Sequence, residues 1–240
     1  MEVCSDPSIS SMVSWFSTIR DTMATYGLPH PTTILSEPPT KRQWATMVRR
    51  ATLNHWQAKL VTEAQSLPSL QFLRATHLSL ARPHLLWTTC PSGPLPGRQA
   101  ALMARLLSGR YQSCWHRRHW DGSTGACRVP GCGHIPGDVA HIFSGSCPAL
   151  KEATTAATKK WITAASGQPP IIALLQDVAS RSPHGFTQFV LDPSTDPAAI
   201  RLAQTLGYIV WDKLFYLART WVFSLHRERY RRLGLSSYLC

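Results

Sequence analysis

The stretch from Cys127 to Cys147, CRVPGCGHIPGDVAHIFSGSC, sets the tightest limit on how this chain can fold. It is rich in glycine and proline and has little apolar periodicity, so it needs a source of order other than one buried face. It also holds three of the seven cysteines and two of the ten histidines. Cys127, Cys132, His141 and Cys147 give the spacing C-x4-C-x8-H-x5-C. Three thiolates and one imidazole suit a tetrahedral Zn²⁺. The Pro-Gly turn between the first two cysteines lets both sulfurs face one point, and the longer gap lets the chain return with His141 and Cys147 at or before a helix start. Four protein ligands leave no open position, which makes such a site structural, its binding energy being folding energy. His134 is a spare imidazole that could replace His141. The bland alternative is a set of buried free cysteines with a surface histidine. A catalytic zinc would need an open position and a carboxylate base, and Asp138 is the only acid inside the loop.

Charge and cysteine usage narrow the setting. The net charge is +12, unevenly spread: −3 over residues 1–40, +11 over 41–120, −1 over 121–200 and +5 over 201–240. Two basic blocks around a neutral centre call for a polyanionic partner, nucleic acid before an anionic membrane surface. Charged residues are only 16% of the chain, below the ~25% usual for soluble domains, which suggests surface meant for contact. The start, MEVCSDPSIS, has no basic region followed by an apolar core, and no apolar run approaches the ~20 residues of a membrane span. The expectation is an intracellular protein of nucleus or cytoplasm, with no membrane or small-molecule partner. In that reducing setting clustered cysteines point to metal rather than disulfides.

The remaining pattern is mainly α. Helices are expected over 10–26, 41–65, 98–107, 148–165, 169–180 and 198–232, with 70–87 ambiguous because Pro83 forbids a helix through it. In 41–65 the stripe Trp44, Met47, Val48, Ala51 is followed by Leu53, Trp56, Leu60 on another side, so the helix is either buried twice or broken. The final segment carries one stripe, Ile200, Ala203, Val210, Leu214, Leu217, Trp221 and Leu225, with Asp196-Pro197 as its start and Gly234 as its end. The expected architecture is a helical domain with a small zinc-stabilised loop insertion and a long C-terminal helix. Along the chain this gives an N-terminal helix and Pro-rich linker (1–40), a basic helical connector (41–120), the cysteine-bearing element (121–150) and a helical tail (151–240).

Two segments combine cations with aromatic rings or repeat cations, as nucleic-acid contacts do. One is RYQSCWHRRHW, with Arg110, Tyr111, Trp115, His116, Arg117, Arg118 and His119 as candidates and Trp120 at its end. The other is Arg227, Arg229, Arg231 and Arg232 in the last helix. Against this, Trp115 and Trp120 could be core and the arginines a solvated edge or helix cap.

The order of motifs SLQFLRATHLSLARPHLLW, ARLLSGRYQSCWHRRHW and CxxxxCG…DVAHIFSGSCPAL resembles the region after the polymerase core in non-LTR (LINE-type) retrotransposon proteins. The segment FVLDPSTDPAAI…HRERYRRLGLSSYL is similar to the carboxy-terminal tail of the same reading frames. The resemblance covers about residues 40–240. It implies a zinc-knuckle-like element carried by Cys127, Cys132, His141 and Cys147, in a helical domain that grips template RNA or target DNA. The gaps between the ligands are longer here than in the usual pattern. No Asp-Asp pair of a polymerase occurs, nor Asp…Asp/Glu-x-Lys of a nuclease, nor a GxxxxGK[ST] phosphate loop. The sequence therefore reads as a non-catalytic binding module for RNA or single-stranded DNA. A second reading is a helical assembly domain whose Ile200–Leu225 stripe packs on a separate reverse-transcriptase core, or an inactive remnant of such an element.

Overall fold

In a computed structural model, residues 15–74 and 78–235 are described, without the side chains of Trp115 and His116. The described residues are helical and contain no strand. The chain divides into two compact units, one of residues 1–66 with 79–82 and one of 67–78 with 83–240. The division falls at residue 66, inside the stretch expected to be one basic connector.

The first unit holds α1 (Trp15–Thr25), α2 (Pro31–Ser36) and α3 (Lys41–Ser66). Of the helix expected over 10–26, residues 10–14 lie outside the described residues. The segment 41–65 is one unbroken helix. A capping box starts it: the Gln43 backbone N–H donates to Thr40 Oγ1 (3.3 Å), and the Thr40 N–H donates to Gln43 Oε1 (2.9 Å). None of the residues of α3 is buried, so neither apolar stripe makes a core. Tyr26 and His55 meet at 4.7 Å between ring centroids.

The second unit holds the core. Its helices are α4 (Leu85–Thr88), α5 (Pro94–Leu107), α6 (Cys114–Asp121), α7 (Val139–Phe143), α8 (Lys151–Ala164), α9 (Pro169–Ala179), α10 (Pro183–Leu191), α11 (Pro197–Leu206) and α12 (Ile209–Arg232). α5, α9, α10 and α11 carry proline in the first turn, where its missing N–H is not needed, and in α10 and α11 the residue before it is a polar cap. Ser182 caps α10 through the Gly185 N–H, and Asp196 caps α11 through the N–H groups of Ala198 and Ala199. α5 likewise starts at Pro94, four residues before the expected Arg98, although Gly93 before it offers no side-chain cap.

The expected helix 198–232 is two helices. α11 ends at Gly207, whose φ of 85° turns the chain, and α12 begins two residues later. α12 is the axis of the unit and packs on α5, α8, α10 and α11. It buries one broad face, including Leu214, Leu217, Trp221 and Leu225. Around Trp221 the rings of Trp161 and Phe186 gather at 4.8 and 5.3 Å, and Trp161 Nε1–H donates to the Leu217 carbonyl at 2.6 Å. Arg219, only 2% exposed, donates to Thr89 Oγ1 and to the Thr89 carbonyl, tying α12 to the end of α4. Burial lowers the pKa of this guanidinium.

Candidate metal centre

The loop before α7 folds by tight turns and one close approach. Cys132 N–H donates to the Val129 carbonyl at 3.1 Å, closing a turn with Pro130 second and Gly131 third. Gly131 has φ +82°, the left-handed position that a Pro-Gly turn of this type requires. Two backbone bonds then fasten the loop's sides: Cys127 N–H to the His134 carbonyl (2.8 Å) and Gly137 N–H to the Gly125 carbonyl (2.9 Å). The strands of chain are so close that a Cβ on Gly137 would stand 2.6 Å from the Cys127 nitrogen. Val129 is buried and roots the turn in the core.

His141 and Cys147 come from the other side. Asp138 caps α7 by accepting the His141 backbone N–H at 2.7 Å, which fixes the first turn on which the imidazole stands. Ile142 and Phe143 of the same helix are fully buried, so the ring is held on a core element. Cys147 precedes the 3-10 turn Pro148–Leu150 that leads into α8, and is itself fully buried.

Among the described residues, Cys127, Cys132, His141 and Cys147 bring one ligand atom each to within 4.8 Å of one another and could hold a metal ion. Cys132 Sγ and His141 Nε2 are 3.3 Å apart. In a tetrahedral zinc site S···N separations are about 3.6 Å and S···S about 3.8 Å, from bond lengths of about 2.3 and 2.0 Å. The donor set therefore fits such an ion with small movements. His134 is outside the cluster. Its ring stacks on His141 at 4.4 Å and 15°, backing the imidazole instead of replacing it. The thiols share protons strongly: a hydrogen bond with Cys147 holds the Cys127 pKa well below the ordinary thiol value, and the same bond, with burial, pushes Cys147 up. A metal ion bound here would displace these protons, because thiols ligate as thiolates.

The loop reaches α6 through Arg128, whose Nη2 donates to Asp121 Oδ2 at 2.7 Å. The hydrogen bonds from Ser123, with this arginine, hold the Asp121 carboxyl below its ordinary value. On α6, Arg117 and His119 are exposed, and Trp120 is 74% exposed. Arg110 is exposed just before the helix. Arg118 is half-buried and lines a cavity of about 330 Å³ with Tyr111, Phe72, Asp138 and Val139. The side chains of Trp115 and His116 lie outside the described residues.

Two residues expected at a nucleic-acid surface face inward. Tyr111 and Arg229 are each 4% exposed. Arg229 donates to Tyr111 Oη (3.1 Å) and reaches Cys114 Sγ (3.7 Å), with its guanidinium over the rings of Tyr111 and Tyr230. The cation fastens α12 to the start of α6, and is unavailable to a phosphate. Of the other arginines there, Arg227 is exposed, whereas Arg231 and Arg232 are paired with Glu228. Sequence reasoning missed Lys159 and Lys160 of α8, which stand with Arg227 on one groove; their adjacency in a near-neutral block gave little signal.

No helix among the described residues is long and apolar enough to cross a membrane. No known family, curated protein or solved structure matches the chain.

Proposed function

We propose that the chain is a zinc-stabilised, non-catalytic nucleic-acid-binding module, built like the carboxy-terminal part of a non-LTR reverse transcriptase. The observation that carries this reading is the convergence of Cys127, Cys132, His141 and Cys147 on one point beside a helix of exposed cations and an exposed indole. Zinc, when bound, supplies a fixed tetrahedral crosslink and no chemistry, since four protein ligands fill its positions. The loop so ordered keeps Arg128 against Asp121, and Arg229 anchors the other end of α6 at Cys114. α6 is thereby held rigid while Arg117 and His119 meet phosphates and Trp120 stacks on an unpaired base. Arg110 extends the same surface. The resemblance of LSGRY and CPAL to the post-polymerase region points in the same direction. The apolar stripe of α12 lies in the core of its own unit, which argues against the assembly reading.

Two measurements test this. The purified chain should carry stoichiometric zinc, lost in Cys132→Ser together with ordered structure in residues 125–147. Titration with single-stranded oligonucleotide should give an affinity that drops steeply between about 50 and 200 mM salt. A chain that folds fully with no zinc, or shows no binding at low salt, overturns the proposal.

A further inference from the structure

A groove of about 710 Å³ runs along the seam of α8 and α12, with the N-terminal part of α5 at its edge. It uses no residue of the cysteine loop and none of α6. Lys159, Lys160 and Arg227 stand on it, all exposed. No carboxylate lines it. Glu228, the acid next in sequence to Arg227, is taken up by Arg231 and Arg232. Among the described residues none of the three groove cations has an ion-pair partner. Three unneutralised cations on one concave surface attract a polyanion.

The floor adds two rings. Tyr216, 47% exposed, and half-buried Phe223 lie seven residues apart on the same side of α12, with Arg227 four residues further. A row of aromatic faces flanked by cations is the combination that binds unpaired bases, each stacked base contributing about 1–3 kcal/mol. In a duplex the base faces are stacked away, so rings on a helix surface cannot stack on them. Apart from Gln99 at the α5 edge, the uncharged polar side chains that line the groove beside the rings are hydroxyls whose single hydrogens are already spent. Thr163 donates to the Lys159 carbonyl, Thr220 to the Tyr216 and Leu217 carbonyls, and Ser224 to the Thr220 carbonyl. What they still offer is lone pairs. Phosphate oxygens cannot use these, whereas a ribose 2′-hydroxyl can donate to them, and it recurs on every nucleotide of RNA and none of DNA.

We propose that the α8–α12 groove is a binding track for single-stranded RNA, with Lys159, Lys160 and Arg227 on the phosphates, Tyr216 and Phe223 under the bases, and Thr163, Thr220 and Ser224 accepting from 2′-hydroxyls. This rests on the nucleic-acid reading and adds a second, independent surface to it.

The experiment uses the full zinc-loaded chain and a fluorescent oligouridylate, its deoxy counterpart, a duplex RNA and polyglutamate as competitor. The triple variant Lys159→Gln, Lys160→Gln, Arg227→Gln should keep its zinc and helicity, since all three side chains are exposed. It should reduce the slope of log affinity against log salt by about 2, from about 0.7 per phosphate contact. Tyr216→Ala should weaken oligouridylate binding by about 5- to 150-fold. Deoxy and duplex probes should bind less tightly than the RNA strand. Wild-type binding that the groove variants leave unchanged, but that Arg117→Gln with Trp120→Ala abolishes, overturns the groove and spares the proposed function. No binding by the wild type overturns both. Equal binding of DNA, or equal competition by polyglutamate, overturns RNA as the occupant.

Discussion

α3 and α12 are nearly the same length, 26 and 24 residues, and both mix apolar with basic positions, yet α12 buries twelve residues and α3 none. In α12 the apolar positions stay on one side for six turns, so a single face can meet α5, α8 and α10 together. In α3 they shift sides after Ala51, and Arg49 and Arg50 sit at the shift. Neither half-stripe is wide enough to found a core. α3 is instead held by local devices: the Thr40–Gln43 box, the Lys59–Glu63 pair at 4.0 Å, and Lys59 Nζ lying 4.9 Å from the centre of the Trp56 ring. A helix of that length can persist on such terms. The comparison separates two properties that periodicity tends to merge. Forming a helix needs caps and helix-forming residues; building a fold needs one continuous face.

The sharpest way to break that comparison is to truncate one tryptophan in each helix. Trp221→Ala should cost about 3–5 kcal/mol in urea unfolding, because it empties the centre of the Trp161–Phe186 cluster. Trp56→Ala, on a 44% exposed ring, should change stability by at most about 0.5 kcal/mol. Similar costs at the two positions would mean that α3 has a buried face after all. Trp221→Phe should cost less than the alanine change, since the Trp221 Nε1–H is buried with no partner among the described residues and phenylalanine removes that orphan donor.

A gentler test acts on α3 alone. Thr40→Ala removes the capping box and should cost about 1 kcal/mol. The loss should appear as faster amide exchange over residues 42–50, with α12 unchanged. Faster exchange in α12 as well would show that the two units unfold together, and the distinction between locally and globally held helices would fall.

How much of this was legible follows the same division. Features set by neighbours in sequence could be read: the four clustered residues of the cysteine loop, the Asp196-Pro197 start, the Gly234 stop and the apolar stripe of α12. Features set by distant partners could not. Tyr111 and Arg229 look like surface residues in their own segments, and only the meeting of α6 with α12 gives the guanidinium its acceptors and turns both inward. Lys159 and Arg227 belong to different helices and become neighbours only when α8 packs on α12. α10 escaped because Phe186–Leu191 is buried on every side, which leaves no polar face to mark a period. Gly207 could have been read as a break, but a single glycine inside a long apolar stripe is also tolerated in a helix.

The smallest expected effect lies at the end of α12, where charge does for the last turn what Thr40 does for the first turn of α3. Glu228 accepts from Arg231 Nε and Nη2 and from Arg232 Nε at 2.6–2.7 Å. The Arg231 hydrogen bonds, then those of Arg232, hold its pKa down at about 2, against an ordinary 4.5. A carboxyl with a depressed folded pKa stabilises the fold above its unfolded value and loses that contribution as the pH falls through the window from about 5 to about 2. The pairs are partly solvated, so the gain at neutral pH is a few tenths of a kcal/mol, at most about 1. Glu228→Gln should therefore speed amide exchange at Arg229–Leu233 at pH 7, with the difference from wild type shrinking as the pH is lowered and gone near pH 2. A difference that stays constant across that range would assign the effect to side-chain packing instead of charge, and the parallel with the capped start of α3 would be lost.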